Sequence, residues 1–272
     1  IDVVRAGNEK VLAARLADAR FFYEEDMKRP LADRVADLRG VVFQERLGTM
    51  YEKAVRIGRL ASELLLGAPE AALAERTALL AKADLVTSVV REFTELQGVM
   101  GREYALRHGE DRIVAEAIFE HYLPRFAGDI IPASLLGAAL SVADKIDTLV
   151  GYFSIGLVPS GSADPYALRR QAAGAVSVHA QWRFALGLDS LVARAARLFG
   201  SAGEAEDEAR QAQIVEDVMS FIQARLKASL EESGHRHDIA DAVLAAGCGR
   251  PACVFERAHA VAQVVDEAWF AA

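Results

Sequence analysis

The sequence predicts an all-α fold. Three observations carry the prediction. Ala and Leu are abundant while aromatic residues make up only 7% of the chain, a bias towards helix formers. Apolar residues recur at three- and four-residue spacing along most of its length. No stretch shows the two-residue alternation of a half-buried strand. With 52% of its 272 residues apolar, the chain can bury a sizeable core and forms one large domain, or one domain with a smaller companion.

The opening segment, Gly7 to Asp26, reads as a helix, with Leu12, Leu16, Ala19 and Phe22 on one face and Asn8 as its N-cap. Pro30 interrupts, and Leu31 to Leu38 is a short continuation. Gly40 and Gly48 bracket a compact stretch, Val41 to Leu47. From Thr49 a helix carries Met50, Ala54, Ile57, Ala61 and Leu64 on one side, and Gly67 and Pro69 close it. The next pattern runs from about Glu70 to Arg91 with Leu73, Thr77, Leu80, Asp84 and Thr87 in register. Asp84 thus continues an apolar stripe, where an unpaired carboxylate is costly. Val99 to Arg107 and Asp111 to Leu123 are further helices, the second aligning Val114, Ala117 or Ile118, and His121. A loop through Pro124 and Gly128 to Pro132 leads to a helix from Ser134 to Phe153, in which Leu136 and Leu140 share a face with Asp144. After a Gly/Ser/Pro-rich loop, Asp164-Pro165 starts a helix carrying Arg169 and Arg170. An Ala-rich helix spans Ala172 to about Phe184, and another Ser190 to Phe199. Gly200 to Asp207 reads as a loop. Three helices, Ala209 to Glu232, Asp238 to Ala246 and Cys253 to Phe270, end the chain.

Several function classes fall away. A formal net charge of −8 argues against indiscriminate nucleic-acid binding by the whole surface, although residues 151–200 hold Arg169, Arg170, Arg183, Arg194 and Arg197 against Asp164 and Asp189. No apolar run reaches the length of a membrane span. Cys248 and Cys253 match no common zinc spacing and read as reduced thiols. Ser160-Gly161-Ser162 follows no strand, so it is not a nucleophile elbow, and no phosphate-binding glycine fingerprint is present. His235-Arg236-His237-Asp238 reads as a capping turn at a helix start, with Asp238 as the cap. The first residue is Ile, and a segment cut from a longer cytoplasmic polypeptide is the expectation.

The stretch Ile118 to Phe153 resembles the back half of an HD-type metal phosphohydrolase domain: a helix ending in His, a Gly/Pro loop, then a helix carrying an Asp. Such a site needs several imidazoles and carboxylates around one or two ions to generate a hydroxide nucleophile. Here the expected His-Asp pair is Ala83-Asp84, the first helix (Gly48 to Lys53) has no His, and His121 and Asp144 remain. The expectation is a degenerate site with no catalytic residue and no metal. Its polar residues bond one another, Lys82 or Lys145, or backbone and water. The alternative is a weak metal site and a working phosphohydrolase.

Longer motifs carry a second resemblance. They are Gly7-Asn8-Glu9 with Leu16 to Asp26 (LADARFFYEED), Gly40 to Thr49 (GVVFQERLGT), Lys82 to Thr87 (KADLVT), Glu92 to Gly101 (EFTELQGVMG), Glu120 to Asp129 (EHYLPRFAGD), Ala143 to Leu149 (ADKIDTL) and Asp164 to Arg170 (DPYALRR). Over roughly residues 5–180, and more loosely through Asp238 to Leu244, the chain resembles the middle of the β subunit of the bacterial two-subunit glycyl-tRNA synthetase. The resemblance implies a degenerate HD-like helical domain over residues 1–185 and a helical extension over residues 186–272. It implies a β subunit that binds tRNA-Gly and completes an α₂β₂ ligase, while a separate α subunit makes glycyl-adenylate from glycine, ATP and Mg²⁺. This part would need no cofactor of its own and would not read the anticodon. On physical grounds Arg169, Arg170 and Arg183 are the candidate phosphate contacts, because guanidinium groups position a nucleic-acid backbone without specifying its sequence. A salt bridge within the protein is the competing role for each. A purely architectural module that never touches RNA is the third reading.

Overall fold

The computed structural model describes residues 2–200 and 205–267. Among these the regular elements are helices, joined by loops, except for one short hairpin and an isolated bridge between Ser160 and Ala163. Helix α1 (Asp2–Asp26) begins earlier than the apolar pattern predicts, so Asn8 lies inside it and is not its cap. Its stripe residues Leu12 and Leu16 are exposed. Its last residue, Asp26, is buried and works at a distance: the carboxylate accepts from the backbone N–H groups of Ser88 and Val89 and from the Tyr104 hydroxyl. A 3₁₀ segment, Leu31–Gly40, follows. The hairpin then pairs β1 (Val42–Gln44) with β2 (Gly48–Thr49), antiparallel. Gly48 makes this turn possible with φ 85°, a left-handed conformation that glycine adopts without strain.

Thr49 starts α2 (Met50–Leu64) through a reciprocal capping box with Glu52. The single helix expected from Glu70 to Arg91 is three pieces: α3 (Ala71–Ala83), a 3₁₀ turn at Asp84–Val86, and α4 (Ser88–Glu92). Two side chains impose the break. Thr87 adopts an extended backbone and accepts from Val90 N–H as the cap of α4, and Asp84 turns to another part of the chain. Helices α5 (Val99–Arg107) and α6 (Arg112–Glu120) pack against each other. At the end of α6, the Glu120 carboxylate accepts from Ala133 and Ser134 N–H and fixes the loop into α7 (Leu135–Ser154).

Helix α7 is buried on nearly every side, as expected of a helix surrounded by others. It contacts α2, α3 and α6, and also α8 (Leu168–Trp182), α9 (Leu188–Phe199) and α10 (Ala205–Glu232). Asp164 does not begin α8. It accepts from Leu168 and Arg169 N–H from outside the helix, and α8 then runs unbroken where two patterns were expected. Helices α11 (His237–Ala245) and α12 (Pro251–Val264) close the described chain. Asp238 lies within α11 and pairs with Arg236, so it is not the cap. The expected loop at Gly200–Asp207 falls largely on residues 201–204, outside the described residues, as does the predicted helical end at residues 268–270. One apolar core runs from Leu47 on β2's approach to Ala258 on α12 and includes Leu188, Leu191 and Val192 of α9. A smaller cluster around Leu31, Leu80, Tyr104 and Ile118 lies beside it.

Candidate functional site

Four helices bring polar side chains to one place in this core. Lys53 and Arg56 come from α2, Lys82 from the last turn of α3, His121 from the residue after α6, and Asp144, Lys145 and Asp147 from α7. All but Asp144 are buried, and Asp144 retains 15% side-chain exposure. Apart from Lys145, these cations and carboxylates are paired with one another. Lys82 Nζ lies 2.7 Å from Asp144 Oδ2 and 2.9 Å from His121 Nε2. Lys53 Nζ lies 2.9 Å from Asp144 Oδ1, 3.0 Å from Asp147 Oδ2 and 2.8 Å from Thr148 Oγ1. Arg56 forks onto Asp147 through Nε and a terminal nitrogen at 2.6 and 3.2 Å, the bidentate arrangement that makes such pairs strong.

Electrostatics follow from these distances. Burial alone would raise the Asp144 pKa, but the ammonium groups of Lys53 and Lys82 outweigh it and hold the carboxyl well below its usual range. Burial pushes Lys53 down, and Asp144 and Asp147 more than restore it. Burial, and then the neighbouring Lys82, drive His121 well below the usual imidazole value, so the ring is neutral. Its tautomer is set by its partners. Nδ1 sits 2.6 Å from the Ile118 carbonyl, which can only accept. Nδ1 therefore carries the proton, and Nε2 accepts from Lys82.

The structure places the sequence-derived residues differently from one another. Asp144 and His121 meet through Lys82. Asp84, fully buried at the end of α3, faces away: Oδ2 accepts from Gly98 N–H at 2.6 Å and Gly101 N–H at 3.2 Å, while Oδ1 has no partner. Burial pushes its carboxyl up to about 6 against the pull of those N–H groups and Lys82. Ala83 is a buried methyl in the smaller apolar cluster. Lys145 does not join Asp84, His121 or Asp144 but donates to the Leu123 carbonyl at 2.8 Å and Ser141 Oγ at 2.9 Å. Arg169 and Arg170 open α8, where Arg169 donates to the Gly161 carbonyl and Arg170 to the Arg125 carbonyl. Arg183 lies past the other end of this 15-residue helix, about 20 Å away at 1.5 Å per residue, and pairs with Glu256 on α12. The three arginines do not form one cluster. Lys53 and Arg56 escaped the sequence reading, although Lys53 stands four residues before Ile57 on the buried face of α2 and interrupts that stripe.

This donor set does not fit a divalent ion. His121 presents a lone pair and Asp144 a carboxylate to a common point, as metal ligands do, and the Nδ1–H to carbonyl bond is the usual orienting contact of a ligating imidazole. The common point is filled by the Lys82 ammonium, a cation of the protein's own. Among the described residues no group of three His, Cys, Asp or Glu side chains is arranged to hold a metal. His237 lies exposed between Glu231 and Asp241. Cys248 and Cys253 are free thiols.

Above the lysines opens a cleft of about 320 Å³, with Lys53, Lys82 and Lys145 on its lining and Phe43, Tyr152 and Tyr166 forming an aromatic side. Comparison with known proteins agrees with the longer motifs. The family model described as glycyl-tRNA synthetase beta subunit matches residues 1–245. The chain is 51% identical over 276 residues to the glycine–tRNA ligase beta subunit of Desulforamulus reducens, covering 100% of this chain and 39% of the relative. Its counterpart in Clostridioides difficile is 50% identical over 247 residues, 90% of this chain and 35% of the relative. That of Moorella thermoacetica is 47% identical over 277 residues, 100% and 40%. The chain therefore spans about two fifths of the length of these curated relatives.

Proposed function

Because the chain belongs to the glycyl-tRNA synthetase beta subunit family, we propose that it serves a glycine–tRNA ligase as a non-catalytic helical part. In this reading it supports glycylation of tRNA-Gly by a separate α subunit and takes part in holding the tRNA. The observation that carries the reading is the family match along residues 1–245. The chemistry of the polar centre supports its non-catalytic half. Hydrolysis by an HD-type site requires metal-activated water, and here the Lys82 ammonium stands between His121 and Asp144. ATP and Mg²⁺ then act on the α subunit, and the degenerate site of Ala83, Asp84, His121 and Asp144 is retained for packing and charge balance.

Arg169 and Arg170 are the better phosphate contacts of the three arginines. Among the described residues their side chains donate to neutral backbone carbonyls and form no ion pair, whereas Arg183 already has Glu256. In the assembled α and β enzyme, charge reversal of Arg169 and Arg170 should weaken tRNA binding and reduce the slope of log K against log salt by about one to two. An unchanged affinity and slope would remove both residues from the interface. This chain alone should show no glycine-dependent exchange of pyrophosphate into ATP, and such exchange would overturn the non-catalytic assignment.

A further inference from the structure

The cleft above the polar centre has more donors than the protein uses. An ammonium group has three N–H donors. Those of Lys53 are taken by the Asp144 backbone carbonyl, the Asp147 carboxylate and the Thr148 hydroxyl. Lys82 has two acceptors, Asp144 and His121, and Lys145 has two, Leu123 O and Ser141 Oγ. Among the described residues one N–H on each finds no oxygen or nitrogen acceptor, the Lys82 ammonium lying in addition 4.6 Å from the centre of the Tyr122 ring, and both groups line the cleft. They are 3% and 4% exposed, so solvent offers them little. The Tyr122 hydroxyl, on the same lining, is buried without a partner.

The charges are also unbalanced in one direction. Lys145 forms no ion pair with a carboxylate among the described residues, and both its acceptors are neutral. A buried charge without a counter-charge is expensive. The carboxylate on the lining, Asp144, is ion-paired with both Lys53 and Lys82, although its Oδ1 accepts no hydrogen bond. An anion entering the cleft therefore meets two incompletely bonded cations and a carboxylate whose charge is matched.

One side of the lining is aromatic, next to the polar side chains of Gln97, Thr148 and Gln171. Tyr152 and Tyr166 lie with ring centroids 4.3 Å apart, Phe43 meets Tyr152 edge-on at 5.8 Å, and Tyr166 is 41% exposed at the opening. Such rings take a planar partner. A volume of about 320 Å³ lies at the small end of ligand pockets. We propose that this cleft binds a small phosphate monoester bearing a flat ring, its phosphate on Lys82 and Lys145 and its ring against Tyr166. The site is metal-free and non-hydrolytic, and it is independent of the contacts proposed for tRNA.

The test is titration of the 272-residue chain with AMP, inorganic phosphate and adenosine at fixed ionic strength, read by ligand-observed NMR and by the melting midpoint. AMP should saturate below about 1 mM, phosphate more weakly, and adenosine not at all. Lys145→Met should weaken AMP and phosphate alike by about tenfold or more. Tyr166→Ala, a change at a side chain outside the apolar core, should weaken AMP while sparing phosphate. The proposal is overturned if AMP fails to saturate, if Lys145→Met binds it as well as the parent chain, or if AMP and phosphate bind equally and Tyr166→Ala changes neither.

Discussion

Removing the Lys82 ammonium would leave the Asp144 carboxylate with one cation instead of two and the His121 lone pair without a donor. Breaking a buried ion pair from one side costs about 3–5 kcal/mol, so Lys82→Met should lower the urea midpoint strongly with little change in slope. A double change, Lys82→Met with Asp144→Leu, should recover part of the loss, because no stranded charge remains. Two other buried groups at this scale act in opposite directions with pH. The folded Asp84 carboxyl, at about 6, keeps a proton that an unfolded chain releases near 4. Stability therefore falls as pH rises from about 4 to 6, and Asp84→Asn should flatten the melting curve over that interval. The folded Lys145 ammonium, at about 7, gives up a proton that the unfolded chain keeps to about 10. Its contribution makes stability rise with pH between those values, and Lys145→Met should abolish that rise.

Elements were legible where periodicity decided them and illegible where distant groups did. The stripe of α2, its start after Thr49 and the extent of α7 were read from local spacing. The break after α3 cannot. Asp84 was visible as an intruder on an apolar stripe, yet its partners Gly98 and Gly101 lie 14 and 17 residues on, and nothing local announces them. The same holds for Lys53, whose acceptors are on α7, and for Lys145, which turned to the Leu123 carbonyl and left the carboxylates to its neighbours. The junction of α3, α5 and α6 is tight because Gly101 has no side chain. A Cβ there would sit 2.7 Å from Ile118 Cγ2 and 2.9 Å from Asp84 Oδ2. Gly101→Ala should cost about 1–3 kcal/mol by overpacking, measurable by chemical denaturation, and the same substitution at Gly7, which faces open space, should cost none.

At the scale of the whole molecule, the apolar core ignores the expected division at residue 185. Leu188, Leu191, Val192 and Ala195 of α9 and Val218, Ile222 and Leu226 of α10 are buried in the same cluster as α7 and α8. A chain ended at residue 185 should expose that face and aggregate or lose its cooperative transition, while the longer chain melts in one step by calorimetry and circular dichroism alike. The fold class was readable because helix periodicity is a local property. The unity of the core was not, because it depends on which faces meet. The polar centre has one further consequence at this scale. A cation supplied by a lysine side chain arrives with translation, is present once per polypeptide, and can neither dissociate nor be exchanged for a wrong ion. The integrity of this scaffold is thereby uncoupled from the cell's supply of divalent metals, and stripping them with a chelator should leave its melting point where it was.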